Sequence, residues 1–224
     1  MKDNQYFKIK DHCRNGLLKY FLQAISIIPL IEKPLILDIG CGSGVPTLAL
    51  AEKINGTITA VDNDAESINR LEEKVNKLNL SDRISTANCS FLDMEFEENQ
   101  FDVIVAEGFL NVIGFEKGFL EIIKLLKSNG YFIIHDEIKN HNKKIELIES
   151  NNCKVIDSFR LDEHIWWNDY YKCLEREISS HGNKELFKTD LHEIELYKQD
   201  SSKFNSVYYV IEKKLKNGII NKIS

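Results

Sequence analysis

Apolar and polar positions divide the chain into two kinds of run. Short, nearly continuous apolar runs at 35–40, 57–61, 101–106 and 131–134 have the length and β-branched content of buried strands. Amphipathic stretches lie around and between them. Leu17, Leu18, Phe21, Leu22 and Ile25 share one helical face; Ile68, Leu71, Val75 and Leu78 share another; Phe119, Ile122, Ile123 and Leu126 share a third. Pro29 and Pro34 bracket the entry to the first strand, and Asn55-Gly56 closes the helix predicted over 46–54. A short strand is predicted over 83–89, and Ser128-Asn129-Gly130 predicts a turn into the fifth strand. A helix at 141–150 and a strand at 153–161 continue the rhythm. It breaks at 163–203, which reads as two helices with no strand between them, ahead of a last strand at 207–211 and a basic tail from Lys213 to Lys222. Residues 1–15 are polar, with Tyr6 and Phe7 as the aromatic exceptions, and helical periodicity begins at Leu17; 1–28 reads as an N-terminal helical segment and a candidate lid.

Strands alternating with helices predict an α/β fold: Rossmann-like, doubly wound, with a mostly parallel seven-stranded sheet and a helical insertion before the last strand. The 224 residues suit one domain with a large core rather than two. In such sheets a ligand binds outside the carboxyl ends of the strands. The positions to weigh are therefore Asp38 to Gly44, Asp62, Cys89 to Phe91, Glu107-Gly108 and His135 to Glu137.

The first of these stands out. In LILDIGCGSGVPTLALAE an apolar strand runs into Asp38, then Gly40, Gly42 and Gly44 at every second residue, then Pro46 and a helix. Glycines let a ligand approach bare backbone, Pro46 suits the first helical turn, and the helix N-terminus offers free N–H groups. This predicts a nucleotide pocket. Asp62, ending the second strand, is placed to accept both hydroxyls of a ribose.

Composition narrows the possibilities without choosing among them. A net charge of −6 disfavours a broad nucleic-acid footprint. The five cysteines form no CxxC pair and are odd in number, which predicts neither a disulfide scaffold nor structural zinc. No signal core or membrane span is evident, so a cytoplasmic protein is expected.

In LDIGCGSG, AVDND, FDVIVAEG and LLKSNGYFIIHDE the chain resembles the class I S-adenosylmethionine-dependent methyltransferases, over about 35–138. That resemblance implies S-adenosylmethionine as cofactor and S-adenosylhomocysteine as product. It implies that Asp38, Gly40, Cys41, Gly42 and Gly44 form the loop against the methionine part. Asp62 would hold the ribose, Asn63 would lie beside the adenine, and Ser90-Phe91 would meet its edge. Many members carry an acid or amide where this chain has Ser90, which leaves the Phe91 backbone as the adenine contact. AEGFLNVIGFEKGF and IWWNDYYKCLEREI resemble a subset of small bacterial and archaeal methyltransferases, so the resemblance carries the cofactor and not the acceptor.

Methyl transfer from a sulfonium is an in-line displacement in which the protein supplies position and electrostatics. Glu107 is the candidate to orient or deprotonate an acceptor, or to contact the donor's amino group. His135 is a candidate base. Arg14 could pair with the donor carboxylate. His135, Asp136 and His141 form no strong ligand motif, so no metal is expected. Trp166, Trp167, Tyr170 and Tyr171 form an aromatic stripe that core packing alone would also produce; since 163–203 has no crossover to make, it is read as a lid whose aromatics line the acceptor pocket. The function expected is methyl transfer to a small-molecule acceptor, with no nucleic-acid or membrane partner. No Asn/Asp-Pro-Pro-Tyr motif follows the fourth strand. Two alternatives are a cofactor-binding scaffold without turnover and a nicotinamide-dependent oxidoreductase; the latter needs a longer final glycine spacing than Gly40 to Gly44 provides.

Overall fold

A computed structural model describes residues 4–215; most of the basic tail lies outside them. Seven strands form one sheet: β1 (Leu35–Ile39), β2 (Thr57–Asp62), β3 (Ile84–Asn88), β4 (Phe101–Glu107), β5 (Leu126–Glu137), β6 (Cys153–Leu161) and β7 (Ser206–Lys213). Their order is β3-β2-β1-β4-β5-β7-β6, and all neighbours are parallel except β7, which runs antiparallel to β5 and β6. The order reverses between β1 and β4. Those two strands pair from Ile36 opposite Val103 to Ile39 opposite Ala106, so the glycine loop after β1 and Glu107 after β4 emerge side by side.

Side chains alternate across the pleat and build a core on each face. Ile36, Val103, Val105, Tyr208 and Val210 face one side. There they pack with α1 (Asn4–Arg14), α2 (Leu18–Ile27), α3 (Val45–Lys53), α4 (Ala65–Lys77) and the insertion. Leu37, Ile39, Ile104, Ala106, Val207 and Tyr209 face the other, against α5 (Leu110–Ile113), α6 (Phe115–Leu125) and α7 (His141–Ser150). Each fully buried Ile or Leu contributes about 1.5–3 kcal/mol of transfer free energy.

The structure differs from the sequence pattern at three places. The N-terminal helix begins at Asn4, not near Leu17, because Tyr6, Phe7, Ile9 and Cys13 form a buried stripe among polar residues. Strand β5 begins at Leu126. The Ser128-Asn129-Gly130 turn is present as an irregularity inside it: Phe101 pairs with Leu126 and Val103 with Tyr131, and Asn129 takes φ +61°. In the insertion, α8 (Glu163–Trp166) runs through one π-helical turn (Trp167–Tyr171) into α9 (Lys172–His181); Gly182 at φ +79° ends it, and α10 (Lys188–Gln199) follows. The π turn packs on the junction of α1 and α2, where a Cβ on Gly16 would lie 1.9 Å from the Asp169 carbonyl oxygen.

Gly44 ends the glycine loop at φ +81°, and a Cβ there would come within 2.2 Å of Leu71 Cδ1. Left-handed strain and overpacking together should make Gly44→Ala less stable by about 2–4 kcal/mol. Urea unfolding checks this, and an unchanged midpoint would refute the packing argument.

Candidate active site

The glycine loop is held from the β2 side. The N–H groups of Gly40 and Cys41 both donate to the Val61 carbonyl, at 2.8 and 3.1 Å, and Gly44 N–H closes the turn on the Cys41 carbonyl at 3.0 Å. Gly40, Gly42 and Gly44 all have positive φ. Beneath them Asp38 is buried and accepts from Thr47 Oγ at 2.6 Å. Asp62 takes the Gly42 N–H on Oδ2 (2.8 Å) and the Asp64 N–H on Oδ1 (2.9 Å), which leaves each oxygen a further lone pair. Helix α1 is tied to the loop through Asp11, which accepts from Ser43 Oγ at 2.5 Å and pairs with Lys74 at 2.6 Å.

Glu107 sits where three elements meet. Its Oε1 accepts from the Tyr208 hydroxyl of β7, and its Oε2 lies 3.4 Å from Arg14 Nη2 of α1. His135 Nδ1 is 3.9 Å from Oε1, too far for a hydrogen bond. The imidazole is sandwiched between Tyr208, with ring centroids 4.2 Å apart, and Trp166, at 5.8 Å. Its Nε2 bonds Ser206 Oγ at 2.8 Å, and that oxygen also accepts from Trp166 Nε1 at 3.0 Å. Burial, reinforced by the Arg14 charge, lowers the His135 pKa to about 3, so the ring is neutral near pH 7.

Two cavities meet at Glu107, and a third adjoins both. The first, about 290 Å³, lies over the glycine loop and is roofed by Tyr6, Phe7, Lys10 and Arg14 of α1 and by Tyr170. The second, about 230 Å³, runs between Asp62-Asn63, Ser90-Phe91 and Phe109. These two share Gly40 and Glu107. The third, about 260 Å³, joins the first at Arg14 and the second at Gly108; Asn111, His135, Asp136, Trp166, Tyr171 and Glu193 are among its lining residues.

Most residues singled out in the sequence are thus brought together. Asp38, Gly40, Cys41, Gly42 and Gly44 line the first cavity, and Asp62, Asn63, Ser90 and Phe91 line the second. Ser90 Oγ accepts from Leu92 N–H at 3.3 Å, so this side chain caps a turn. Trp166 and Tyr171 line the third cavity, whereas Tyr170 faces the first, with Lys10 Nζ on its hydroxyl at 2.6 Å. Trp167 lies outside all three cavities. It stacks on Tyr197 at 5.5 Å with Lys198 over its face, because consecutive helical residues point about 100° apart. Tyr208, Lys10, Asn111, Ser206 and Glu193 were not singled out from the sequence. Only the strand alternation of β7 offered a signal, and that for Tyr208 alone.

Residues 33–177 match the family model described as a methyltransferase domain. The chain belongs to that family. Among curated proteins it is 33% identical over 103 residues to a sterol 24-C-methyltransferase of Saccharomyces cerevisiae, covering 46% of this chain and 27% of that one. The chain spans about a quarter to a third of the length of the sterol methyltransferases it matches. Among solved structures, a Haemonchus contortus phosphoethanolamine N-methyltransferase with S-adenosylhomocysteine bound superposes at TM-score 0.74 with 16% identity, over 95% of this chain and 58% of that one. A geranyl diphosphate C-methyltransferase of Streptomyces coelicolor superposes at 0.66 with 12% identity, over 90% and 79%. These likenesses show the fold.

The family's methyl donor is S-adenosylmethionine, and the residues present fit it. A Cβ placed on Gly42 or Gly108 meets nothing within 4 Å, so bare backbone faces open space on both sides of Glu107. Arg14 supplies a cation for a carboxylate, Asp62 has lone pairs for a diol, and Phe91, Phe109 and Val112 supply apolar walls for a purine.

Burial raises the Asp38 carboxyl to about 7, against the Thr47 hydrogen bond and with help from Glu107 and Asp62. A folded-state pKa above the unfolded one means that this group's contribution to stability falls as pH rises from about 4 to 7. His135 has the opposite sign: its folded pKa is depressed, so its contribution rises with pH from about 3 to 6.5. Asp38→Asn should therefore give a ligand-free protein whose urea midpoint climbs more steeply from pH 4 to 6.5 than that of the wild type. Parallel pH profiles would contradict this assignment.

Proposed function

We propose that this chain transfers the methyl group of S-adenosylmethionine to a small polar acceptor in the cavity beside His135 and Asp136, with amines the favoured class. The reading rests chiefly on one observation: two cavities share Gly40 and Glu107, and a third adjoins them at Arg14 and Gly108. Helix α1 and the insertion 163–203 serve as lids over the first and third. The whole is a single catalytic unit in the cytoplasm, the setting that its free thiols favour.

When bound, the donor supplies an electrophilic methyl on a sulfonium. The chain's residues do the rest. Arg14 holds the donor carboxylate, Asp62 the ribose, and the Phe91-Phe109 corner the adenine. Glu107, fixed by Tyr208 and Arg14, offers its carboxylate to an N–H of the donor or the acceptor and receives the acceptor's proton. His135 stays neutral and orients the acceptor from the Trp166–Ser206 side. Positioning of this kind is the main contribution such a site makes.

The lining favours an acceptor with hydrogen-bond donors. Asp136 pairs with Lys144 through Oδ2 at 2.6 Å, while its buried Oδ1 has no hydrogen-bond partner among the described residues. Glu137 and Glu193 add two further carboxylates, and Trp166, Tyr171 and Phe204 add ring faces suited to a cation. A sterol, the acceptor named for the curated relatives, would leave the buried Asp136 Oδ1 without a partner.

Calorimetric titration with S-adenosylhomocysteine should show Asp62→Ala binding weaker by more than about 1 kcal/mol, the low end for a charge-assisted bond. Release of S-adenosylhomocysteine from S-adenosylmethionine, measured over a panel of small primary and secondary amines, should identify an acceptor. With that acceptor, Glu107→Gln should lower turnover about 10²-fold or more. Intact binding with no release across the panel would favour a scaffold role.

A further inference from the structure

We infer that Cys13 and Cys173 form an oxidisable dithiol site whose disulfide staples α1 to α9 across the roof of the first cavity. The two residues are 160 positions apart, yet their Sγ atoms lie 2.7 Å from one another, inside the ordinary contact distance of two thiols. Cys13 is buried on α1. Cys173 is partly exposed in the first turn of α9, with Arg176 Nη2 3.9 Å from its sulfur. The accessible sulfur is the one that reacts first, and its buried neighbour resolves it. The remaining cysteines show no such pairing: Cys41 and Cys153 direct their thiols to the carbonyls of Gly42 and Asn151.

The chemistry needs a disulfide oxidant, for which oxidised glutathione serves. The Cys173 thiolate attacks one glutathione sulfur, the glutathione S–S bond breaks, and one glutathione leaves as thiolate. Cys13 passes its proton to that thiolate through solvent and attacks the Cys173 sulfur, expelling the second glutathione. Two protein thiols are oxidised and one glutathione disulfide is reduced to two thiols.

The staple's position connects it to the site. Tyr6, Phe7, Lys10 and Arg14, on the same helix as Cys13, cover the first cavity. Tyr170, which also faces that cavity, stands just ahead of Cys173 and accepts from Lys10. In the reduced protein α1 is held to the insertion by non-covalent bonds such as Lys10 to Tyr170 and Lys10 to Asp190. The disulfide makes that tie covalent, so ligand exchange beneath the roof slows. This last consequence rests on the donor reading; the cross-link does not.

His12, Cys173 and Glu177 also place ligand atoms within 4.8 Å of one another, a geometry that a metal ion could use. The test separates the two. The full chain is incubated with oxidised glutathione, alkylated, digested and mapped by mass spectrometry. The expected result is a linked Cys13–Cys173 peptide, reversed by dithiothreitol, retained in Cys89→Ser and Cys153→Ser, and absent from Cys173→Ser. The oxidised wild type should melt higher by on the order of 5 °C. Cys173→Ser, altered at a partly exposed position, should show no such rise. S-adenosylhomocysteine should dissociate several-fold more slowly from the oxidised form. A stable glutathione adduct on Cys173 with Cys13 still free would overturn the proposal. So would stoichiometric zinc retention that protects Cys173 from alkylation and is abolished by His12→Ala. A link that leaves the dissociation rate unchanged would overturn the roof consequence. Failure of S-adenosylhomocysteine to bind the reduced protein would instead count against the donor reading.

Discussion

The carboxylate of Glu107 ties the site together. It ends β4 beside the strand-order reversal, accepts from Tyr208 on β7, and faces Arg14 on α1. An acid this deep is tolerable only if its charge is answered, and here the answers come from opposite ends of the chain. The central strands, the last strand and the N-terminal helix are consequently fixed relative to one another at the junction of the first two cavities. Removing Arg14 would leave α1 attached by Lys10 and Asp11 but would leave Glu107 with a hydroxyl alone.

The fold was legible in the sequence where burial is two-sided. Strands β1, β2 and β4 are covered on both faces, so they read as unbroken apolar runs, and the switch point followed from the glycine loop between two of them. The N-terminal segment read as helical, but its periodicity was legible only from Leu17 onward and not over Asn4–Arg14. Its buried stripe of Tyr6, Phe7, Ile9 and Cys13 alternates with Lys10, Asp11 and Arg14, whose polar ends serve the cavity and not the solvent. A helix whose second face is a binding surface loses the contrast on which periodicity depends.

The site divides in the same way. The half proposed for the donor was legible as a feature because backbone geometry demands particular residues: three glycines with positive φ, and an acid at a strand end. The half proposed for the acceptor was only partly so. Trp166 and Tyr171 lie where the aromatic stripe suggested, but Trp167 stacks on Tyr197 away from the cavities. Tyr208, Ser206 and the approach of Cys13 to Cys173 join residues 71 to 160 positions apart, which local pattern does not encode.

The π turn at Trp167–Tyr171 acts as a phase shifter between two helical faces. Upstream of it Trp166 points at Ser206 and His135, while downstream Leu174 and Ile178 point into the sheet's core. An α-helix advances about 100° per residue, so closing the wide turn by one residue would rotate one face against the other by that amount. The indole would leave the cavity while the core stayed packed. A single surplus residue thus sets where this aromatic wall points, independently of the glycine loop at the other side of the site.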